Sequence, residues 1–253
     1  MYVIIAVPAR LESSRLPNKV LCDIGGKPMI QRVLEQCSLS KLSDNLFLCC
    51  DDESLLKKAE SWGFQGFLTS KKCSSGSARI ASIIEKLVGK KSPQETLIIN
   101  VQGDQPFIDP KIIDKLIEFS SSKDILPEVV TPIYKIYNED IHNPNLVKTL
   151  ISNNKEIIYF SRSALPFIRD EKKENWSREC QYWGHVGIYG YRGDILMRWE
   201  SFPDSNLEKL EKLEQLRLID AGIKFHGFEV EGNFISIDTK EQLFHARKIF
   251  MDK

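Results

Sequence analysis

The sequence lacks several features that would place it in a functional class at once. It has no excess of charge, because 35 Lys and Arg residues balance 35 Asp and Glu residues. A basic surface for nucleic acid is therefore not predicted. No apolar run approaches the roughly 20 residues of a membrane span, and the N-terminal stretch is not built like a signal peptide. We therefore expect a cytoplasmic protein that binds neither nucleic acid nor a membrane.

Cysteine motifs are also absent. The six cysteines form no C-x-x-C pair, and Cys49 and Cys50 are neighbours in a strand-like run, where adjacent side chains face opposite ways. Zinc binding is therefore not predicted, and buried reduced thiols are expected instead. Neither G-x-x-x-x-G-K-[ST] nor G-x-G-x-x-G occurs in the chain. The absence of the second motif speaks against a nicotinamide-dependent oxidoreductase.

Strand-like and helix-like segments alternate over the first half of the chain. The strands are predicted at 2–9, 45–50, 67–70 and 96–102. The helices are predicted at 28–37, 52–63, 77–89 and 110–120. This alternation is typical of a parallel sheet with helices on both faces. We therefore predict an α/β fold with a mostly parallel sheet, in which ligands bind beyond the carboxyl ends of the strands.

The second half of the chain has a different pattern. Strands with short connections are predicted at 128–136, 146–152, 156–162, 185–192 and 224–230. The polar segment 169–181 is predicted to be a loop, and helices are predicted at 207–222 and from Thr239 onward. The closely spaced strands indicate antiparallel hairpins added to the sheet. We therefore predict a single domain over residues 1–253 with an inserted antiparallel lobe at about 130–192.

Two loops follow strands of the predicted parallel sheet and carry cations or small polar residues. In the first loop, Arg10, Arg15 and Lys19 lie among serines, a composition that suits phosphate groups but also a solvated surface loop. In the second loop, Ser75 precedes a helix, where a serine either approaches a ligand or simply caps the helix. These residues alone leave both interpretations open.

Two aspartates are candidate magnesium ligands. Asp104 lies in the turn after the strand at 96–102, where it is either a turn residue or a ligand. Magnesium favours one or two carboxylates together with phosphate oxygens, so few protein ligands are needed. Asp238 is the second candidate, although it could also cap the last helix, with Glu241 at the offset of a capping box. Thr239 could equally be the cap.

A series of motifs resembles one enzyme family over nearly the whole chain. The motifs are PAR-x-x-S-S-R-L-P-x-K, GKPMI, S-G-S-x-R, NVQGDQP, NPN-x-VK, YFSRSALP, GHVGIYGYR and LEKLEQLR, in that order. Together they resemble the 3-deoxy-manno-octulosonate cytidylyltransferases, which form CMP-3-deoxy-manno-octulosonate and pyrophosphate from CTP and the acid sugar. The resemblance implies a Rossmann-like nucleotidyltransferase fold, a Mg²⁺ cofactor and a homodimer.

The resemblance also assigns roles to individual residues. It implies that Arg10, Arg15 and Lys19 hold the triphosphate and that Asp104 and Asp238 bind magnesium. It places Ser75 and Arg79 in the nucleotide pocket, with Gln102 between nucleotide and sugar. It assigns the sugar pocket to Arg162, His185, Tyr189, Glu214 and Gln215. From the residues alone, His185 is more simply a structural histidine and Glu214 part of a solvated helix face.

The chain departs from the usual motifs of this family at two places. Ala78 replaces an acidic residue in S-G-T-x-R, and I-D-T-K-E-Q replaces V-D-T-P-E-D around Asp238. Both changes lie on the side of the nucleotide and metal. Two other functions remain open: a cytidylyltransferase for a related acid sugar, such as an 8-amino analogue or a sialic-type acid, and a non-catalytic nucleotide-binding protein.

Overall fold

The computed structural model describes residues 1–13, 16–232 and 234–251. Its strands are β1 (Tyr2–Ala9), β2 (Asp23–Ile24), β3 (Lys27–Pro28), β4 (Asn45–Cys50), β5 (Gln65–Leu68), β6 (Thr96–Val101), β7 (Val129–Ile136), β8 (Lys148–Ile151), β9 (Glu156–Ser161), β10 (Tyr182–His185), β11 (Ile188–Arg192) and β12 (Phe225–Glu229). Its α-helices are α1 (Met29–Cys37), α2 (Glu53–Ser61), α3 (Gly76–Ala81), α4 (Ile84–Val88), α5 (Pro110–Ser121), α6 (Trp176–Glu179), α7 (Gly193–Met197), α8 (Asn206–Glu211), α9 (Leu216–Asp220) and α10 (Lys240–Met251).

Ten of the strands form one mixed sheet in the order β10-β8-β9-β12-β7-β11-β6-β1-β4-β5. The run β6-β1-β4-β5 is parallel throughout, and β12 pairs with β7 in parallel as well. The other strands of the second half join the same sheet through antiparallel pairs. A separate hairpin is formed by β2 and β3. The predicted α/β fold is confirmed.

The central strand β1 supplies both hydrophobic cores because successive side chains point to opposite faces of the sheet. Val3, Ile5 and Val7 pack into one core, and Ile4 and Ala6 pack into the other. Helices α1, α2 and α5 cover the first face, and α3, α4, α7 and α9 cover the second. A strand covered on both faces has to be apolar throughout, as YVIIAVPA is.

Two predicted helices are each broken in two. The segment predicted at 77–89 forms α3 and α4, because the Ser82 hydroxyl donates to the Arg79 carbonyl and Ile83 leaves the helical region with a φ of −127°. The segment predicted at 207–222 forms α8 and α9. Lys212 ends α8 in the left-handed conformation, with a φ of 54°. Glu214 therefore lies in a turn between two helices and not on a solvated helix face.

Two further segments differ from their predictions. The strand predicted at 185–192 is two strands, because the chain leaves β10, which pairs with β7 and β8, and continues as β11 beside β6. The polar segment 169–181 contains the short helix α6 and not only a loop. Trp176, the first residue of α6, is buried in a small apolar cluster with Tyr182. Burial of this one indole orders a segment that is otherwise polar.

Two expectations from the sequence concern the cysteines and membrane-spanning segments. All six cysteines are free thiols, but burial is confirmed only for Cys37, Cys49 and Cys50, whose pKa it raises; Cys22, Cys73 and Cys180 are partly exposed, so the expectation is wrong for them. Among residues 1–13, 16–232 and 234–251, no helix has the length and apolar character needed to cross a bilayer.

Candidate active site

A cavity of about 270 Å³ opens at the carboxyl ends of the parallel strands. It lies where an open α/β sheet is expected to bind its ligands. Residues from all three loops that follow β1, β5 and β6 line it, together with Asp238 from near the C-terminus. The sequence-predicted residues that meet here are Arg10, Lys19, Ser75, Arg79, Gln102, Asp104 and Asp238. Arg15 lies outside the described residues.

Lys19 lies between the two predicted metal-binding aspartates. Its Nζ is 2.7 Å from Asp104 Oδ2 and 2.9 Å from Asp238 Oδ1. Burial lowers the pKa of Lys19, but the attraction of Asp104 and its hydrogen bonds to both carboxylates outweigh burial, so the pKa is raised overall. The two carboxylates therefore converge on one cationic position, although they are 134 residues apart in the chain, at 104 and 238.

Asp104 could be only a turn residue, and Asp238 could be only the cap of α10. Thr239 Oγ1 accepts a hydrogen bond from the backbone N–H of Gln242 at 3.3 Å and so caps α10. The Asp238 carboxylate is directed instead to Lys19. Asp104 does lie in a turn, closed by the Gln105 N–H to the Gln102 carbonyl, but its carboxylate also points to Lys19. Neither aspartate serves only its local backbone.

The donor set fits magnesium better than a metal that needs a protein cage. In the described part of the chain, no three His, Cys, Asp or Glu residues come together to hold a metal ion. Asp104 and Asp238 instead form a pair of carboxylates beside a cavity lined by cations. Magnesium is commonly held by one or two carboxylates and by the phosphates of its substrate. The residues present are therefore compatible with such an ion.

Arg79 is fixed by a buried ion pair at the wall of the cavity. Its Nη2 donates to Asp51 Oδ2 at 2.9 Å, and its Nη1 donates to the Thr69 hydroxyl and the Ser70 carbonyl. Asp51 also accepts a hydrogen bond from the Leu11 N–H, at 3.1 Å. The ion pair of Arg79 and Asp51 thus joins the loops after β1, β4 and β5. Asp51 was not identified from the sequence, although it directly follows β4, as the other site residues follow their strands.

The start of α3 packs closely against Gln102. Ser75 caps this helix, because its hydroxyl accepts from the Ala78 N–H at 3.2 Å, and it also lines the cavity. A Cβ on Gly76 would lie 2.8 Å from Nε2 and 2.9 Å from Oε1 of Gln102. Any larger residue at this position would therefore require the Gln102 amide to move. The small residues of this loop therefore serve the packing of a polar group as well as the helix cap.

The predicted sugar-binding residues, apart from Gln102, lie outside this cavity. Arg162 donates from Nε to the Glu211 carbonyl at 2.8 Å and from Nη1 to the Pro144 carbonyl at 3.0 Å. Glu214 accepts hydrogen bonds from the N–H and the hydroxyl of Ser77 at 3.3 and 2.9 Å. Both side chains are partly exposed. No sequence pattern indicated their hydrogen-bond partners, which are Glu211 and Pro144 for Arg162 and Ser77 for Glu214.

Tyr189 and Gln215 are buried, whereas His185 is partly exposed. The His185 ring meets Phe160 edge-on at 5.0 Å and lies tilted against Tyr189 at 5.1 Å, and Tyr189 stacks on Tyr191 at 5.5 Å. His185 Nε2 and Gln215 Nε2 are buried without a hydrogen-bond partner. Burial lowers the pKa of His185 to about 3, so the ring is neutral at ordinary pH. His185 and Gln215 thus each keep one buried nitrogen whose hydrogen bond is unmade.

We expect His185, whose Nε2 is buried, to make the protein less stable in mild acid. The unfolded chain protonates this histidine below about pH 6.5, whereas the folded chain keeps it neutral down to about 3. Its contribution is therefore complete above pH 6.5 and is lost as the pH falls, by about 2 kcal/mol at pH 5. Urea unfolding at about pH 7.5 and 5.0 measures this loss, which should shrink by that amount in His185→Gln. The exposed His142→Gln should behave like the unmodified protein, and an unchanged loss in His185→Gln would contradict the assignment.

Comparisons with known proteins agree with the motifs and the geometry. The model of the cytidylyltransferase family matches residues 4–225. The chain is 38% identical to the 3-deoxy-manno-octulosonate cytidylyltransferase of Thermodesulfovibrio yellowstonii over 251 residues, covering 98% of each chain. It is 40% identical to the 8-amino-3,8-dideoxy-manno-octulosonate cytidylyltransferase of Shewanella sp. strain W3-18-1 over 244 residues, covering 96% of each.

A solved structure is similar over the whole length of the chain. It is a CMP:2-keto-3-deoxy-manno-octonic acid synthetase complexed with CTP, with a TM-score of 0.90 and 32% identity. The match covers 100% of this chain and 99% of that one. The chain therefore belongs to the cytidylyltransferase family, together with the 3-deoxy-manno-octulosonate enzymes that its motifs resemble.

Proposed function

We propose that the protein transfers CMP from CTP to 3-deoxy-manno-octulosonate and releases pyrophosphate. The observation that carries the proposal is the convergence of Lys19, Asp104 and Asp238 in a cavity lined by Arg10 and Gln102. A triphosphate needs several cations around it, and this cavity provides them next to a pair of carboxylates. A relative of the same fold is known in complex with CTP, and curated relatives are named for this reaction.

The chemistry asks the protein mainly to position groups and to offset charge. An anomeric hydroxyl of the sugar attacks the α-phosphorus of CTP, and pyrophosphate leaves in line. Arg10 and Lys19 would contact the triphosphate and offset the charge that grows on the leaving group. Gln102, at the edge of the cavity, would touch both substrates. Arg162 and Glu214 would bind the sugar, because a guanidinium suits its carboxylate and a carboxylate accepts hydrogen bonds from its hydroxyls.

Asp104 and Asp238 would hold magnesium in this scheme. When bound, the ion would supply Lewis acidity to the phosphate oxygens and offset their charge. Both carboxylates contact Lys19 in this structure, so their negative charge would be shared between that ammonium group and the ion. We also propose that the protein is a cytoplasmic homodimer, as the family resemblance implies. Exposed apolar side chains, such as those of Phe167 and Leu210, are compatible with a partner surface.

Pyrophosphate release tests the proposed reaction directly. The purified protein should release pyrophosphate from CTP and magnesium only when 3-deoxy-manno-octulosonate is present, and ATP or GTP should not replace CTP. Mass spectrometry should find the CMP-sugar in the same reaction. CTP binding without release in the presence of any acid sugar would support a non-catalytic role and contradict the proposal.

The 8-amino analogue is a second candidate substrate. It is favoured by relatives named for it that are as similar to this chain, at 40% identity, as the enzymes named for the hydroxyl sugar, at 38%. The two sugars differ at one group, so a single contact is enough to distinguish them. Equal concentrations of both acids in one reaction, followed by the ratio of the two CMP products, assign the substrate. A product ratio above about tenfold for the amino sugar would reverse the proposed preference.

A further inference from the structure

A buried hydrogen-bond chain connects the cavity to Glu214. Gln102 donates from Nε2 to Asn100 Oδ1 at 3.1 Å, and Asn100 donates from Nδ2 to Ser77 Oγ at 3.1 Å. Ser77 then donates from Oγ to Glu214 Oε1 at 2.9 Å. Asn100 and Ser77 are fully buried. The chain therefore runs through the protein interior between a group at the nucleotide cavity and a group predicted to bind sugar.

The bonding capacity of Ser77 fixes the direction of this chain. Its hydroxyl has one proton and two lone pairs, and an ionised Glu214 can only accept, so the proton goes to that carboxylate. The two lone pairs then accept from Asn100 and from the Tyr191 hydroxyl, which is 3.0 Å away. All hydrogen-bonding positions of the hydroxyl are used. A buried chain in which every donor points the same way is mutually strengthening, because each bond polarises the next.

The position of Asn100 indicates that these hydrogen bonds do not occur by chance. Asn100 lies in β6, whose sequence TLIINV is buried from end to end. An amide without partners would be costly there, so its two hydrogen bonds matter for stability as well as for geometry. With its Nε2 held by Asn100, Gln102 is further confined by the close approach of Gly76. The amide of Gln102 thus donates to Asn100 and keeps Oε1 as an acceptor.

We infer that Ser77 and Asn100 are positioning residues that couple the two substrate sites, so that each substrate tightens the binding of the other. A sugar hydroxyl that binds the Glu214 carboxylate changes the acceptor of the Ser77 hydrogen bond. Ser77 in turn accepts from Asn100, and Asn100 accepts from Gln102, so the change in hydrogen bonding reaches Gln102. Because coupling is reciprocal, CTP contacts at Gln102 affect sugar binding at Glu214 by the same factor. The inference rests on the proposed function, since it takes CTP and the acid sugar as the two ligands.

Calorimetry on the intact protein can measure this coupling without turnover. The probe is the α,β-methylene analogue of CTP, whose bridging carbon prevents transfer, titrated with excess magnesium in the presence and absence of saturating 3-deoxy-manno-octulosonate. The variants are Ser77→Ala, which removes the central hydroxyl, and Ser77→Thr, which keeps it. Thr is the residue that the related motif S-G-T-x-R carries at this position. Ser120→Ala is the control, because it removes a buried hydroxyl of α5, which bonds only the Leu116 carbonyl among the contacts described.

We expect the sugar to tighten analogue binding at least about fivefold in the unmodified protein, within the usual range of coupling between sites. In Ser77→Ala the ratio of the analogue's affinities with and without the sugar should fall to within about twofold of one. Ser77→Thr and Ser120→Ala should keep the ratio of the unmodified protein. Thermal unfolding checks that each variant is folded. Asn100→Asp, measured near pH 8, provides a second break in the chain, because an ionised carboxylate accepts from Gln102 but cannot donate to Ser77. It should also lose the coupling.

Three results would overturn the inference. The first is coupling that survives in both Ser77→Ala and Asn100→Asp. The second is a ratio within twofold of one in the unmodified protein while pyrophosphate release is normal, which would leave the proposed reaction standing and remove only the coupling. The third is an unmodified protein that binds the analogue but no acid sugar, which would overturn the proposed function as well.

Discussion

Replacing Asp104 with asparagine should lower turnover at least about a hundredfold and leave the fold intact. Asp104 and Asp238 both contact Lys19 Nζ, at 2.7 and 2.9 Å, and a neutral amide removes half of this negative pair. The proposed metal ion would lose an anionic ligand, and electrostatic stabilisation in an enclosed site is commonly worth a factor of this size. Steady-state pyrophosphate release measures the loss, and the concentration of magnesium needed for half-maximal rate should rise.

The surface residue Asp124 provides the control for this experiment. Asp124→Asn makes the same chemical change at an exposed position beyond α5, and it should keep the original turnover. The thermal midpoint of Asp104→Asn should stay within a few degrees, because Lys19 keeps Asp238 and the Asp104 carbonyl still accepts from the Ile237 N–H. A rate within tenfold of the unmodified protein would show that Asp104 is mainly a turn residue, as its position between Gly103 and Gln105 also allows.

Removing Asp51 should cost about 3–5 kcal/mol of stability, because the change leaves the Arg79 charge buried without its partner. The Asp51 and Arg79 side chains are only 9% and 4% exposed, and their contact is 2.9 Å long. Asp51→Ala also frees the Leu11 N–H, so the loop after β1 should loosen along with the core. Urea unfolding measures the change in free energy, and CTP affinity should fall in parallel.

A double-mutant cycle separates this pair from general loss of packing. Asp51→Ala with Arg79→Met removes both charges, so the double variant should be more stable than Asp51→Ala alone. The surface pair of Lys135 and Glu229 is the matched control, since both of its side chains are 42% exposed. Glu229→Ala should cost no more than about 1 kcal/mol. A similar small cost for Asp51→Ala would mean that water reaches Arg79 in solution.

The layered fold could be predicted because its signal is local. Continuous apolar strands such as YVIIAVPA and TLIINV are distinctive of a sheet covered on both faces, and both form β-strands within one residue of the predicted bounds. The helix at 207–222 could not be predicted correctly from the same kind of signal. Leucines recur there at a spacing of three, but Leu210 is 80% exposed while Leu216 is fully buried. Packing of the turn after Lys212, and not periodicity, sets where that helix breaks.

Some residues of the candidate site could likewise be predicted from the sequence, and others could not. Asp104 could be found because it follows a strand whose carboxyl end lies at the ligand-binding edge of the sheet. The hydrogen-bond chain from Gln102 to Glu214 could not be found in this way, because its middle members, Asn100 and Ser77, look ordinary in sequence. Ser77 looks like the first residue of the helix predicted at 77–89, and Asn100 like an interruption of an apolar run. Their partners are 137 and 23 residues away, at Glu214 and Ser77, and no local pattern records contacts over such distances.

The contact between Lys19 and Asp238 also has a consequence for how the molecule is made. These residues are 219 positions apart, so the ribosome must add all of the intervening residues before the carboxylate of Asp238 can reach the loop after β1. The strands β1, β4 and β6 can pair earlier, because they lie within the first 101 residues. Closing a loop of this length is slow for entropic reasons. A nascent chain therefore gains its scaffold well before its cation-binding pair, and activity during synthesis would report the completion of folding and not its beginning.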